Sequence, residues 1–210
     1  MCKTLYYLRE KKPDKIFIYL HGGPFFTILA PQNDPFAYYL VKKRKNVCLI
    51  NYPITFGKGG FTDYNYIYTK ILKIKQRYSN AKLYLIGESY GGFLTSLFSS
   101  QNIFEQIICL SSFISINYQK LFSTEKDWLS KYLSTDSKDF YFLQEKGLVK
   151  VPITFINGKN DSQVPWQQFL PLINSSNSHI KIKLFDNYIH RETGSKLKVI
   201  IDYIDKIIPQ

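Results

Sequence analysis

The sequence contains few cysteines, and their positions suggest no special chemistry. Cys2, Cys48 and Cys109 match no metal-binding or redox spacing. Cys48 and Cys109 lie in apolar, strand-like runs. We therefore predict small buried hydrophobic side chains in a reducing compartment.

Long hydrophobic runs are also missing. The longest, residues 16–20 and 103–110, fall far short of the roughly 20 apolar residues that a membrane span needs. Residues 1–12 carry scattered charges and no hydrophobic signal-peptide core. These features predict a cytoplasmic protein with no membrane partner.

Acidic residues are scarce relative to basic ones. The chain has 28 lysines and arginines against 16 aspartates and glutamates, a formal net charge of +12. The lysines are spread along the whole chain, and a general richness in Lys, Ile, Asn, Tyr and Phe indicates biased base composition in the source genome. Since basic charge alone gives only non-specific affinity, we predict no nucleic-acid partner. An anion-binding surface module stays open as an alternative, and it predicts steeply salt-dependent binding.

Strand-like and helix-like segments alternate along the 210 residues. This alternation predicts one α/β domain spanning residues 1–210, with a mostly parallel central sheet of about seven strands and helices on both faces. The predicted strands are residues 4–9, 15–20, 47–50, 82–86, 107–110, 152–156 and 180–185.

Helix signals lie between these strands. Asp34 and Pro35 predict an N-cap and first turn for a helix that runs to about residue 43. Asp63 is predicted to cap a second helix, and a third is expected over residues 93–99. Apolar stripes mark the second helix and the C-terminal one, at Ile67, Ile71, Ile74 and Tyr78, and at Leu197, Ile200, Ile201, Ile204 and Ile208.

About forty residues separate the strands at 107–110 and 152–156, where a simple crossover needs about a dozen. Long segments of this kind in compact domains are usually lids or disordered. The aromatic content, including Trp128, favours a small helical cap over about residues 115–147.

The pentapeptide G-E-S-Y-G at residues 87–91 follows an apolar strand pattern and precedes a helical one. This context is the one that a nucleophile elbow requires, with Ser89 as the nucleophile. Glycines flank the serine because the turn is too tight for Cβ atoms on its neighbours.

The tetrapeptide H-G-G-P at residues 21–24 follows the predicted strand 15–20. The N–H groups of Gly23 and Tyr90 are the expected oxyanion hole, while Pro24 has no N–H and only shapes the loop. Taken alone, residues 21–24 also fit an ordinary turn.

At this point the chain resembles the α/β-hydrolase superfamily of serine hydrolases, and it is similar to the prolyl-aminopeptidase, acylaminoacyl-peptidase and esterase branches. The matching segments are residues 21–24, 87–92 and 158–165, and His190. The resemblance implies a three-layer α/β-hydrolase fold and a Ser-Asp-His triad of Ser89, Asp161 and His190, in the chain order that this fold uses. Such a triad needs no metal or organic cofactor.

Two features of the triad partners leave room for other interpretations. Asp161 lies in an Asn-Asp stretch that also suits an Asx turn. Ile189 stands where the family usually has glycine before the histidine, and a β-branched residue restricts the loop.

The predicted substrate-binding residues are Gly22, Glu88, Phe56 and Trp128. An aminopeptidase would need a carboxylate for the substrate amine. The candidates are Glu88, Glu125, Asp127 and Glu145. A structural role would explain Glu88 equally well, and the other three could simply be solvated charges on the surface of the cap. Lys58 stands in a loop where peptidase branches often have arginine.

The sequence therefore predicts a serine hydrolase that cleaves a small ester or a short peptide through an acyl-enzyme on Ser89. The alternative is a non-catalytic member of the same fold that binds a small molecule or a protein partner.

Overall fold

The computed structural model describes residues 3–23, 27–44, 46–124, 126–134, 149–173 and 176–208. Seven strands form one sheet in the order β1-β3-β2-β4-β5-β6-β7. The strands are β1 (Thr4–Leu8), β2 (Lys15–Leu20), β3 (Asn46–Ile50), β4 (Lys82–Glu88), β5 (Gln106–Leu110), β6 (Ile153–Gly158) and β7 (Ile180–Phe185).

The sheet is parallel except at one edge. β1 pairs antiparallel with β3, and every other neighbouring pair is parallel. The central strands read as continuous apolar runs because both of their faces are covered, and all five residues of β3 are buried. The predicted α/β-hydrolase sheet of about seven strands is confirmed.

Seven α-helices connect or flank the strands within the described ranges. They are α1 (Pro35–Lys43), α2 (Phe61–Arg77), α3 (Ser89–Ser96), α4 (Ile116–Phe122), α5 (Lys126–Tyr132), α6 (Leu170–Ile173) and α7 (Gly194–Ile207). No helix among these residues combines the length and the apolar character that crossing a bilayer requires.

The side chains of β2 show how the layers arise. Ile16, Ile18 and Leu20 point into a core shared with α2 and α3. Phe17 and Tyr19 point the other way, into a core shared with α1 and α7. Alternation along the strand therefore builds two apolar layers, one on each face of the sheet.

The predicted start of α1 is confirmed. Asp34 is the N-cap, and its Oδ1 accepts the N–H groups of Phe36 and Ala37 at 3.0 and 2.8 Å. Pro35 occupies the first helical position, where the missing N–H costs nothing.

The predicted start of α2 was wrong. The helix begins at Phe61 with Gly60 as N-cap (φ 80°), so Asp63 lies inside the first turn. Its carboxylate turns inward and accepts the hydroxyls of Tyr90 and Tyr132 instead of helix N–H groups. Tertiary hydrogen bonds decide the position of this side chain, and a local capping pattern does not reveal them.

Other predicted boundaries moved as well. β4 extends to Glu88 instead of ending at residue 86, and two further elements changed. α3 begins at Ser89, four residues before the expected start. β6 extends to Gly158, so Asn157 and Gly158 belong to the strand and not to a turn. In both cases the element continues up to the site, which shortens the loops there.

The predicted cap is described in part. α4 and α5 lie in this segment, and the end of α5 pairs with the loop after β3. Gly57 N–H donates to the carbonyl of Lys131 at 3.0 Å, and Gly59 N–H to that of Tyr132 at 2.9 Å. The rest of the predicted cap, residues 135–147, lies outside the described residues, as do Pro24, Glu125 and Glu145.

Candidate active site

The turn between β4 and α3 presents Ser89 at the carboxyl edge of the sheet. Ser89 has φ of 52°, in the left-handed region that non-glycine residues rarely occupy. Such strain is characteristic of functional positions held in place by their surroundings. A Cβ on Gly91 would lie 2.1 Å from the carbonyl oxygen of His21, so only glycine lets the elbow pack this closely against the loop after β2.

Ser89, His190 and Asp161 form a continuous hydrogen-bonded chain. His190 Nε2 lies 3.0 Å from Ser89 Oγ, and His190 Nδ1 lies 2.8 Å from Asp161 Oδ2. The three residues follow β4, β6 and β7, which are parallel, so their carboxyl ends meet at one edge of the sheet.

Asp161 is well placed to orient the imidazole. Its side chain is fully buried, and its Oδ1 accepts the N–H of Val164 at 2.7 Å, which fixes the carboxylate plane. A carboxylate accepts only, so the bond to Oδ2 requires a proton on His190 Nδ1. In the neutral imidazole, Nε2 is then the unprotonated nitrogen that faces the serine hydroxyl.

The loop after β2 lies against the elbow. Gly23 has φ of 60°, a conformation that glycine adopts without strain. Tyr52 Oη lies 2.8 Å from the carbonyl oxygens of both His21 and Gly23 and holds the turn. Within the described residues Gly23 makes hydrogen bonds only through its carbonyl, which leaves its N–H available.

Tyr90 is the second residue of α3. The first N–H groups of a helix have no partner inside the helix. The Tyr90 amide, which directly follows Ser89, therefore has no acceptor within α3.

A cleft of about 370 Å³ opens beside the serine. Eleven described residues line it: Gly22, Gly23, Glu88, Ser89, Phe113, Gln119, Trp128, Gln163, Val164, His190 and Arg191. Gly22, Glu88 and Trp128, singled out from the sequence, are among them.

Phe56 is not among the described residues that line the cleft. It is mostly exposed, and its ring packs edge-on against Tyr132 at a centroid distance of 5.7 Å. Sequence reasoning missed Phe113, Gln119, Gln163 and Arg191. Gln163 lies in the segment 158–165 that matches the superfamily. For the other three, the only sequence signal is proximity to His190, to strand ends or to the predicted cap.

Glu88 belongs to a partly buried ionic cluster beside the serine, in which Asp34 is fully buried and Arg191 is 43% exposed. Arg191 Nη2 donates to Asp34 Oδ2 at 2.6 Å and to Glu88 Oε2 at 3.2 Å. Tyr19 Oη lies 3.2 Å from an oxygen of each carboxylate. Burial raises the pKa of Glu88, and nearby Asp34 raises it further, while Arg191 and His190 lower it.

A second buried carboxylate, Asp63, holds the elbow to the loop and to α5. Its Oδ2 accepts the hydroxyls of Tyr90 at 2.8 Å and Tyr132 at 2.7 Å, and Tyr90 Oη in turn accepts the N–H of Gly60 at 2.7 Å. Burial raises the pKa of Asp63 to about 6, against the opposing effect of the two hydroxyls.

The raised pKa of Asp63 predicts a pH-dependent stability. In the unfolded chain this carboxyl has a pKa of about 3.9, so between about pH 4 and 6 it is ionised in the unfolded state and still protonated in the folded state. The free energy of unfolding therefore falls by up to about 3 kcal/mol as the pH rises through this range. Above pH 6 the loss is complete. Asp63→Asn stays neutral and lacks this loss. Urea unfolding at pH 4 and pH 7 should show the wild type losing stability relative to the variant as pH rises. An equal difference at both pH values would contradict this account.

A family model for the prolyl oligopeptidase family matches residues 55–198, which includes the elbow, Asp161 and His190. The chain belongs to the prolyl oligopeptidase family. Together with the fold, this places it in the α/β-hydrolase superfamily, as the sequence motifs predicted. No curated protein matches the sequence.

Solved structures share the fold of this family member. An acylaminoacyl peptidase from Pyrococcus horikoshii superposes with a TM-score of 0.76 at 16% identity, covering 97% of this chain and 39% of its own. A monoacylglycerol lipase from Paleococcus ferrophilus superposes with a TM-score of 0.68 at 14% identity, covering 98% of this chain and 99% of its own.

These similarities concern the fold, since all the identities are low. The chain spans about two fifths of the length of the acylaminoacyl peptidases and nearly the full length of the lipase.

Proposed function

We propose that this chain is a serine hydrolase that cleaves a small ester or a short peptide through an acyl-enzyme on Ser89. The observation that carries the proposal is the hydrogen-bonded chain from Asp161 through His190 to the hydroxyl of Ser89. A serine hydroxyl is a weak nucleophile, and an adjacent general base of this kind activates it.

In the proposed reaction, Ser89 Oγ attacks the carbonyl carbon of the substrate while His190 Nε2 takes its proton. Asp161 stabilises the imidazolium that forms. His190 then gives the proton to the leaving alcohol or amine, and the C–O or C–N bond breaks. Water, deprotonated by His190, attacks the acyl-enzyme and releases the acid.

The amides of Gly23 and Tyr90 are the proposed donors to the oxyanion. Both belong to turns that other residues hold in place, Gly23 through the hydroxyl of Tyr52 and Tyr90 through its own bond to Asp63. Donors that are already oriented are worth roughly 3–4 kcal/mol each in the transition state, because no reorganisation is needed.

The size and lining of the cleft favour a small substrate. Its volume of about 370 Å³ lies at the low end of the range for small-molecule sites. Phe113, Trp128 and Val164 supply apolar wall, and Gln119 and Gln163 add amide groups. We therefore propose that Gly22, Glu88 and Trp128 contact the substrate.

The domain organisation is part of the same proposal. α4 contributes Gln119 and α5 contributes Trp128 to the cleft. These contributions support a small cap over about residues 115–147 on a single domain of residues 1–210.

Labelling with a fluorophosphonate probe tests the proposal. The wild type should be modified at Ser89, and Ser89→Ala should not be modified. Ser111→Ala is a matched control, because Ser111 also directly follows a strand of the sheet and has a left-handed backbone (φ 42°). It should label like the wild type.

If the wild type is not labelled, or if Ser89→Ala is labelled equally, the proposed hydrolase activity is wrong. The alternative, a non-catalytic binding protein, would then remain. A panel of p-nitrophenyl esters and aminoacyl-naphthylamides then separates esterase from peptidase activity. Turnover of the naphthylamides alone would assign the peptide substrate.

A further inference from the structure

We propose that Arg191 is a positioning residue that holds the loop carrying His190 against the elbow. The role concerns the reaction proposed above, and it rests on that function for its effect on rate. The contacts themselves do not depend on the activity and can be tested separately.

The guanidinium of Arg191 joins two elements that are far apart in the chain. The same atom, Nη2, bonds to Asp34 at the start of α1 and to Glu88 at the end of β4. Glu88 directly precedes Ser89, and Arg191 directly follows His190. The contact therefore connects the neighbours of the nucleophile and of the base.

Both anchors are fixed by other parts of the fold. Asp34 is completely buried, and its other oxygen already caps α1 through two backbone N–H groups. Glu88 is the last residue of a central strand and is mostly buried. Removing Arg191 would leave two carboxylates close together without a cation, an arrangement that buried sites tolerate poorly.

Apart from the bonds of His190 and Arg191, the polar contacts of the His190 loop among the described residues reach the loop after β6 or α7, or stay within the loop. Asp186 pairs with Lys159 at 2.8 Å, and Ile189 N–H donates to Glu192 Oε1 at 2.7 Å. Before the histidine, the carbonyl of Tyr188 accepts the N–H of Asn160 at 3.0 Å. Ile189 is 55% exposed and buries little apolar surface. After the histidine, the ion pair of Arg191 with Asp34 and Glu88 adds a second contact to the elbow beside the bond between His190 and Ser89. A displacement of about 1 Å in a catalytic group can cost about 10²-fold in rate.

Arg191 also lines the cleft, and its side chain is 43% exposed. A guanidinium in that place suggests an alternative role, binding an anionic group of the substrate. The two roles differ in kinetics. Substrate binding would change KM for anionic substrates, whereas positioning changes kcat for every substrate and the rate of labelling by a neutral probe.

Arg191→Ala and Arg191→Lys test the proposal on an ester substrate and on the fluorophosphonate. We expect Arg191→Ala to lower kcat and the labelling rate by about 10- to 100-fold with KM nearly unchanged. Arg191→Lys retains a cation with several donors and should recover much of the loss. Millimolar guanidinium should also restore part of the rate in Arg191→Ala.

Arg44→Ala is the matched control. Arg44 pairs with Asp205 at 2.6 Å and is 10% exposed, and neither residue lines the cleft, so its loss removes an ion pair outside the site. It should lower stability without lowering the labelling rate. A thermal melt of each variant separates unfolding from misplacement of the base.

A spectroscopic readout makes the test independent of activity. The proton shared by His190 Nδ1 and Asp161 should give a far-downfield NMR resonance in the wild type and in Arg44→Ala, and this resonance should be weakened or lost in Arg191→Ala. If the wild type reacts with neither the fluorophosphonate nor the ester but the resonance follows this pattern, the proposed hydrolase function is wrong and the positioning role of Arg191 is supported. An unchanged resonance and rate in folded Arg191→Ala would overturn the role.

Discussion

His190→Ala is expected to lower kcat/KM by about 10⁴-fold or more, because it removes the only base that contacts the hydroxyl of Ser89 among the described residues. The melting temperature should change little. The imidazole is partly exposed, and its loss leaves Asp161 still accepting the N–H of Val164. Steady-state kinetics on the best ester of the panel, together with a thermal melt, measure both quantities.

His179→Ala is the matched control for this experiment. His179 is exposed and precedes β7, at the opposite edge of the sheet from Ser89. Its replacement should leave kcat/KM within about twofold of the wild type, as expected for a surface substitution far from the site. If His190→Ala kept near-normal turnover, another group would have to act as the base, and the proposed mechanism would be wrong.

The sheet was predictable because its strands carry a strong local signal. Central parallel strands are apolar on both faces, so runs such as β3 and β4 stand out from their polar surroundings. Helix α1 was predictable for a similarly local reason, since Asp34 and Pro35 supply both the cap and the first turn. Such features depend on neighbours within a few residues.

The misplaced boundaries have non-local causes. Asp63 resembles a helix cap, but two tyrosines from distant segments compete for its carboxylate. β6 continues through Gly158 because it pairs with β7 up to Phe185, and a glycine and an asparagine give no local strand signal. Partners distant in sequence decided both positions.

In the candidate site, too, local motifs were predictable and the ionic contacts between distant residues were not. The sequence motifs singled out Ser89, Asp161 and His190, and the structure brings these three side chains within hydrogen-bonding distance of one another. The ionic cluster of Asp34, Glu88 and Arg191 could not be foreseen. Its members are separated by 54 to 157 positions, and none belongs to a motif that specifies the other two.

Asp161→Asn should also lower kcat/KM by about 10⁴-fold, through the tautomer of His190 rather than the loss of a base. The asparagine can still accept the N–H of Val164 through its oxygen, which turns its NH₂ group toward His190 Nδ1. An amide donor there requires an unprotonated Nδ1 and therefore a proton on Nε2. Nε2 then donates to Ser89 and cannot take its proton.

This account makes the stability and pH behaviour of Asp161→Asn informative. Because the fold keeps the bond to Val164, the melting temperature should fall only slightly. Raising the pH should restore activity in the variant, since hydroxide can replace the missing base, whereas the wild type gains little above neutral pH. Asp186→Asn is the control. Asp186 directly follows β7, its carboxylate is exposed and pairs with Lys159, and its replacement should leave full activity. A near-normal rate in Asp161→Asn would show that Asp161 does not set the tautomer, and the acid of the proposed triad would have to be sought elsewhere.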